Sequence, residues 1–258
     1  MTIVEPHLSS ATRTTQMRAA RNNAVWCDTV CRAHGRAGEW RDGIWINRHD
    51  TPRFYPNAVT LSADPAPLDW VRTLIDAAIP GEWAIKDSFA ALDLAPLGFR
   101  LLFAASWISR PASSPSPGAA IAGIRWGNVA DASELTEWER AWNAANDGVQ
   151  PPPARIFLPA LLGDEAVAFI AAYRGERIVA GAIANRTGDV AGLSNLFALS
   201  VEGAAVRAGC VAQAIRTFPG LSLVGYERGN DVVTARSLGF ETLGPLRVWV
   251  RVGESRSV

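Results

Sequence analysis

The chain has little lysine: Lys86 is the single one, and every other cation is arginine. With 25 basic and 25 acidic side chains its formal charge is zero, so it lacks the basic excess or stripe that nonspecific binding to nucleic acid or to an anionic membrane needs. The arginines are scattered through an alanine-rich sequence and read as a compositional bias. Three cysteines are too few for a disulfide framework, and a reducing, cytoplasmic setting is the expectation. No apolar run reaches the roughly 20 residues of a membrane-spanning helix. Residues 1–15 are polar, rich in Ser and Thr and without a signal-peptide pattern; they are expected to fray. Cys-x-x-Cys, Gly-x-Ser-x-Gly and Walker-type patterns are all missing.

What is present is ample apolar material and an internal repeat. Of 258 residues 48% are apolar and ten are Trp, enough for one large domain or two small ones. Residues 57–62 read Asn-Ala-Val-Thr-Leu-Ser and residues 195–200 read Asn-Leu-Phe-Ala-Leu-Ser. Pro80-Gly81 follows the first and Pro219-Gly220 the second at nearly the same distance; Leu97-Gly98-Phe99 then matches Leu238-Gly239-Phe240, each leading into an apolar run with a Trp, at Trp107 and Trp249. Anchors recurring in order imply one supersecondary unit used twice.

Periodicity predicts a helix over 16–34, strands over 43–47 and 54–62, a helix over 68–79, a strand over 83–86, a helix capped by Asp87 or Ser88 and running to Leu97, and a buried strand over 100–109. Residues 111–118, Pro-Ala-Ser-Ser-Pro-Ser-Pro-Gly, are a linker by composition. The second part reads strand 121–126, helix 134–145 capped by Ser133 without a full capping box, hairpin 166–173 and 176–185 about Arg174-Gly175, strand 192–200, helix 203–218, strand 221–226, helix 231–238 and strand 246–252.

That order, closing on a helix, Leu-Gly-Phe and a last strand, resembles the GNAT family of acyl-CoA-dependent N-acyltransferases, most firmly over residues 120–252. The resemblance implies an α/β protein (an α+β mixed sheet) of two GNAT-like half-domains, the C-terminal one more complete: a tail at 1–15, a truncated domain at 16–110, a linker at 111–118 and an acyl-CoA-binding domain at 119–258. In this family a Gln/Arg-x-x-Gly-x-Gly/Ala loop and the helix after it bind the CoA pyrophosphate through backbone N–H groups and the helix dipole. The matching stretch is Ser200-Val201-Glu202-Gly203-Ala204-Ala205. The central Gly and the last small residue are kept; Ser stands in place of Gln/Arg, and Glu202 brings a negative charge that Arg207 could offset. A plain helix start capped by Ser200 explains the same residues. The family's strand edge that pairs with the pantetheine falls on Leu196, Phe197, Ala198 and Leu199, and the pyrophosphate site on Gly203, Ala204, Ala205 and Val206. Asn195, and Asn57 in the first copy, sit where the strand usually splays.

The family's proton donor to the leaving thiolate is a Tyr five residues before the Phe; here that position is Ala235, and Leu94 in the first copy. Tyr226 is the nearest substitute, and Glu227 the first candidate for a general base, with Asp189 behind it and Glu165 and Asp164 weaker. Each has an ordinary alternative, a packed Tyr ring or a solvated carboxylate. Cys27, Cys31 and His34 share one helical face, but small buried thiols explain them better than a metal does. Arg48 and Arg53 in the polar stretch 47–53 are candidate anion clamps or parts of a solvated loop. The expectation is direct acetyl transfer from acetyl-CoA, or another acyl-CoA, to a small amine, with no metal, nucleic acid or membrane partner. The alternative is a non-catalytic protein of the same fold that binds a ligand or partner.

Overall fold

The computed structural model describes residues 9–63, 68–118, 121–146, 154–199 and 203–252. The first strands are short: β1 (Glu39–Arg41), β2 (Ile44–Ile46) and β3 (Ala58–Thr60); they are followed by β4 (Glu82–Asp87) and the long β5 (Arg100–Arg110). Then come β6 (Arg125–Asn128), β7 (Val167–Arg174), β8 (Arg177–Thr187), β9 (Val190–Ala198), β10 (Ser222–Glu227) and β11 (Glu241–Val252). All pair into one mixed 11-stranded sheet of order β1-β2-β3-β4-β11-β5-β10-β9-β8-β7-β6. The described α-helices are α1 (Ser10–Ala33), α2 (Leu68–Asp76), α3 (Ala132–Asn146), α4 (Gly203–Thr217) and α5 (Asn230–Ser237).

Alternation of side chains along each strand builds a core on either side of the sheet. On one side Trp26 and Val30 of α1 and Trp138 of α3 meet Phe169, Ile183 and Phe197. Trp138 is fully buried, with three phenylalanine rings edge-on at 5.1–5.5 Å and its indole N–H donating to Ile170 O at 2.8 Å. On the other side Val206, Cys210, Val211 and Ala214 of α4 cover alanine-rich β7 and β8; small residues let the helix approach closely. α2 covers Ile44, Ile46 and Ile85.

The repeat anchors have matching geometry. Gly81 and Gly220 take φ of 73° and 77°, and Gly98 and Gly239 of 80° and 85°, left-handed values that glycine adopts without a Cβ penalty. Phe99 N–H donates to Leu94 O as Phe240 N–H does to Ala235 O. The strands that follow the two Leu-Gly-Phe turns cross over, however. β11 pairs antiparallel with β4, β5 pairs antiparallel with β10, and β5 and β11 pair with each other at the middle of the sheet. Arg110, closing β5, donates to Leu238 O at 2.8 Å, so the end of β5 is pinned to the turn before β11.

Several element boundaries differ from the sequence expectation. β1 was not anticipated. The strand expected over 54–62 shrinks to three residues because Phe54 turns back at φ 71°. No α-helix follows Asp87: its carboxylate takes the N–H groups of Phe89 and Leu92 and leaves a loop ending in a short 3-10 turn, Ala95–Leu97. Asp131 rather than Ser133 caps α3, accepting from the N–H groups of Ser133 and Glu134, while Glu134 turns back to Ala130 N–H. The strand expected at 121–126 lies later, as β6. The motif positions Ser200, Val201 and Glu202 fall outside the described residues.

Candidate active site

β9 and β10 are parallel neighbours over three residues only, Val190, Ala191 and Gly192 opposite Ser222, Leu223 and Val224. Beyond that the strands part, and the β9 edge from Leu193 to Ala198 has no strand partner on the β10 side. A bulge causes the parting. Asn195 takes φ 53°, and the ladder to β8 shifts register opposite it, which bends a strand. At the apex the backbones nearly touch: a Cβ on Gly225 would lie 2.9 Å from Leu193 O. The first copy stays closed at the matching place, because Asn57 N–H donates to Ala84 O at 2.7 Å and Asn57 Nδ2 to the carbonyls of Asn47 and His49.

The parting opens a cleft of two joined cavities, about 340 and 350 Å³, that share Asn146, Leu196, Arg207 and Asp231. Phe197, Ala198, Gly203 and Ala204 line the end at the start of α4. Asn23 and Trp26 of α1, Tyr55, Lys86 and Tyr226 line the other.

The sequence-predicted site residues divide accordingly. Leu196, Phe197, Ala198, Gly203 and Ala204 line the cleft. Leu199 does not; it is exposed, and its N–H is taken by Val179 O. Ala205 and Val206 are absent from the lining; Val206 is fully buried in the core under α4, so only its backbone is of use at a helix start. A Cβ on Gly203 would meet nothing within 4 Å. Tyr226 and Glu227 both line the cleft but, as successive strand residues, project to opposite sides of the sheet. Tyr226 lies on the α1 side, its ring edge-on to Trp107 at 5.6 Å and stacked near Phe103. Glu227 lies on the α4 side, its Oε1 taken by Arg207, which also holds Asp231 at 3.1 Å. Burial pushes the Glu227 carboxyl above its ordinary range, against the pull of Arg207. Ala235, at the position of the family's Tyr, is buried against the cleft.

The remaining candidates are committed elsewhere. Asp189 pairs with Arg18 at 2.9 Å on the surface. Arg48 pairs with Glu39 at 2.9 Å, outside the cleft. Burial pushes the Cys27 and Cys31 thiols up to about 11 and 12, and His34 Nε2 lies 2.9 Å from Ile156 O. Sequence reasoning missed Asn23, Trp26, Tyr55 and Lys86. Lys86, the one lysine, stood out by rarity, but its place in the cleft depends on strand pairings remote in sequence.

No family model and no curated protein matches the sequence. Solved structures do. A GCN5-related N-acetyltransferase from Kribbella flavida is 18% identical, with a TM-score of 0.63 over 92% of this chain and 96% of that one. A GNAT-family protein from Novosphingobium aromaticivorans is 16% identical, TM-score 0.54, over 92% and 99%. A GCN5-related N-acetyltransferase from Sphaerobacter thermophilus is 12% identical, TM-score 0.52, over 77% and 73%. This chain has the mixed α/β fold of the GCN5-related N-acetyltransferases.

Proposed function

We propose that the protein is an acyl-CoA-dependent N-acyltransferase, moving an acetyl group to a small amine. The observation that carries this reading is the parting of β9 from β10. It leaves the β9 edge on either side of the Asn195 bulge, up to Ala198, free to pair with the amides of a pantetheine arm, as an added strand would. The edge and the start of α4 line one cavity, and the positive end of a helix dipole favours a pyrophosphate; open space at Gly203 lets phosphate approach the backbone.

The bound thioester supplies an electrophilic carbonyl, at which the amine nitrogen forms a C–N bond as the C–S bond breaks. Glu227, through the Oε2 that Arg207 leaves free, accepts the amine proton; its raised pKa suits a base. The Tyr226 hydroxyl, which makes no hydrogen bond among the described residues, gives a proton to the departing sulfur.

Calorimetric titration with acetyl-CoA and free CoA tests the reading. Micromolar binding is expected, and Gly203→Val should weaken it by about tenfold or more while leaving the fold intact, because the site is open. Failure of either ligand to bind at millimolar concentration would sink it. The buried Ala235 in place of the family's Tyr favours a second reading, a binding protein without chemistry; binding with no thiol release in the presence of any amine would select it.

A further inference from the structure

Lys86 stands in the wall of the cleft away from α4, with only 5% of its surface exposed. Its Nζ donates to Asn23 Oδ1 at 2.8 Å and sits 4.3 Å from the centre of the Tyr226 ring. Both contacts are with neutral groups, and an ammonium has three N–H donors to satisfy. A charge this buried is costly unless a counter-charge meets it. Among the described residues no carboxylate pairs with it. Other carboxylates are engaged: Asp28 accepts from Gly38 N–H and Trp45 Nε1, Asp87 from loop N–H groups, and Glu227 from Arg207. The neighbouring Cys27 thiol is held protonated by burial.

The same cavity is lined by two more residues with buried polar atoms. The Trp26 indole N–H and the Tyr55 hydroxyl are buried there facing one another, and neither has another hydrogen-bond partner among the described residues. One ammonium with neutral donors suits a carboxylate; a phosphate dianion is usually met by arginine forks or a helix start, and the arginine that lines this cavity, Arg207, is already held by Glu227 and Asp231. Lys86 touches Tyr226, whose chain neighbour Gly225 packs on Leu193 at the strand parting, and Lys86, Leu193 and Leu196 line the same cavity.

Resting on the acyl-transfer reading, we infer that Lys86 is an anion anchor for the acceptor and that the acceptor is a small amino carboxylate, its carboxylate on Lys86 and its amine toward the parting of β9 and β10.

The test is direct binding of the twenty standard amino acids, a series of ω-amino acids, and their carboxamides to the full chain, with acetyl-CoA titrated separately. At least one acid should bind about tenfold or more tightly than its amide. Lys86→Met should erase that preference, Lys86→Arg should keep much of it, and acetyl-CoA binding should not change in either. A chain of Met length removes an uncompensated buried charge, so folding should survive; the unfolding midpoint checks this. Amides binding as well as acids, a preference that persists in Lys86→Met, or no member of the panel binding would each overturn the inference. Loss of acetyl-CoA binding by the unaltered protein would instead overturn the acyl-transfer reading.

Discussion

Glu227 carries two opposing influences, and they can be separated by pH. Burial disfavours its charged form more than Arg207 restores it, so its pKa in the folded chain lies above the unfolded one. A group shifted in this direction stabilises the fold fully at low pH and loses that contribution as pH rises through the folded pKa. Gln imitates the neutral form. The unfolding midpoint of Glu227→Gln, relative to the unaltered protein, should therefore climb between about pH 4, the ordinary Glu range, and neutrality. Thermal melts across that interval check this; a difference that falls with pH would mean that the Arg207 pair outweighs burial. If Glu227 is also the base, the same variant should lose about a hundredfold or more in turnover without weakening acetyl-CoA. Tyr226 and Glu227 were visible in the sequence as a polar pair closing a strand. Their opposite sidedness follows from strand alternation alone, but which side holds α1 and which α4 does not.

The bulge in β9 and the glycine in β10 act as one device. Asn195 bends β9 outward, and Gly225 lets the backbones touch where the bend begins. A methyl on Gly225 would lie 2.9 Å from the Leu193 oxygen, which is backbone and cannot rotate away. Gly225→Ala should cost about 1–3 kcal/mol of unfolding free energy, the range of core overpacking. Gly203→Ala, facing open space, should stay within about 0.5 kcal/mol. Denaturant titration of both variants compares them; equal losses would refute a tight apex. Of this device, the sequence displayed the Asn and the strand as repeated features, yet Asn57 closes its copy with side-chain hydrogen bonds while Asn195 opens its own. The difference arises in what surrounds each residue, such as the carbonyls of Asn47 and His49, which local pattern does not encode. The missing helix after Asp87 has a similar origin: a good capping residue turned its carboxylate onto a loop.

The crossed pairing of β5 and β11 ties the N-terminal and C-terminal strands into one sheet. The glycine turns and the strands flanking them were legible because they are local; the crossed pairing was not, since β4 and β11 are more than 150 residues apart in the chain and either partner offers the same apolar alternation. Its consequence is physical. In a fragment starting at residue 113, β11 would lose both its neighbours and β10 its outer one, exposing long strand edges that invite aggregation. Trp249 would leave the cluster that it shares with Ile85 and Phe99. α1 would also be gone, and with it the wall of the cleft that holds Asn23 and Trp26. The fragment 113–258 should therefore show no cooperative melt on its own and should gain one when residues 1–112 are added in trans. The intact chain should unfold in a single transition by both far-ultraviolet circular dichroism and tryptophan fluorescence. Two separated transitions, or a soluble fragment that melts cooperatively and binds acetyl-CoA alone, would show that the shared sheet is not what holds the molecule together. Coincident transitions would instead mean that the Lys86 wall and the β9 edge of the candidate site form only when the whole sheet does.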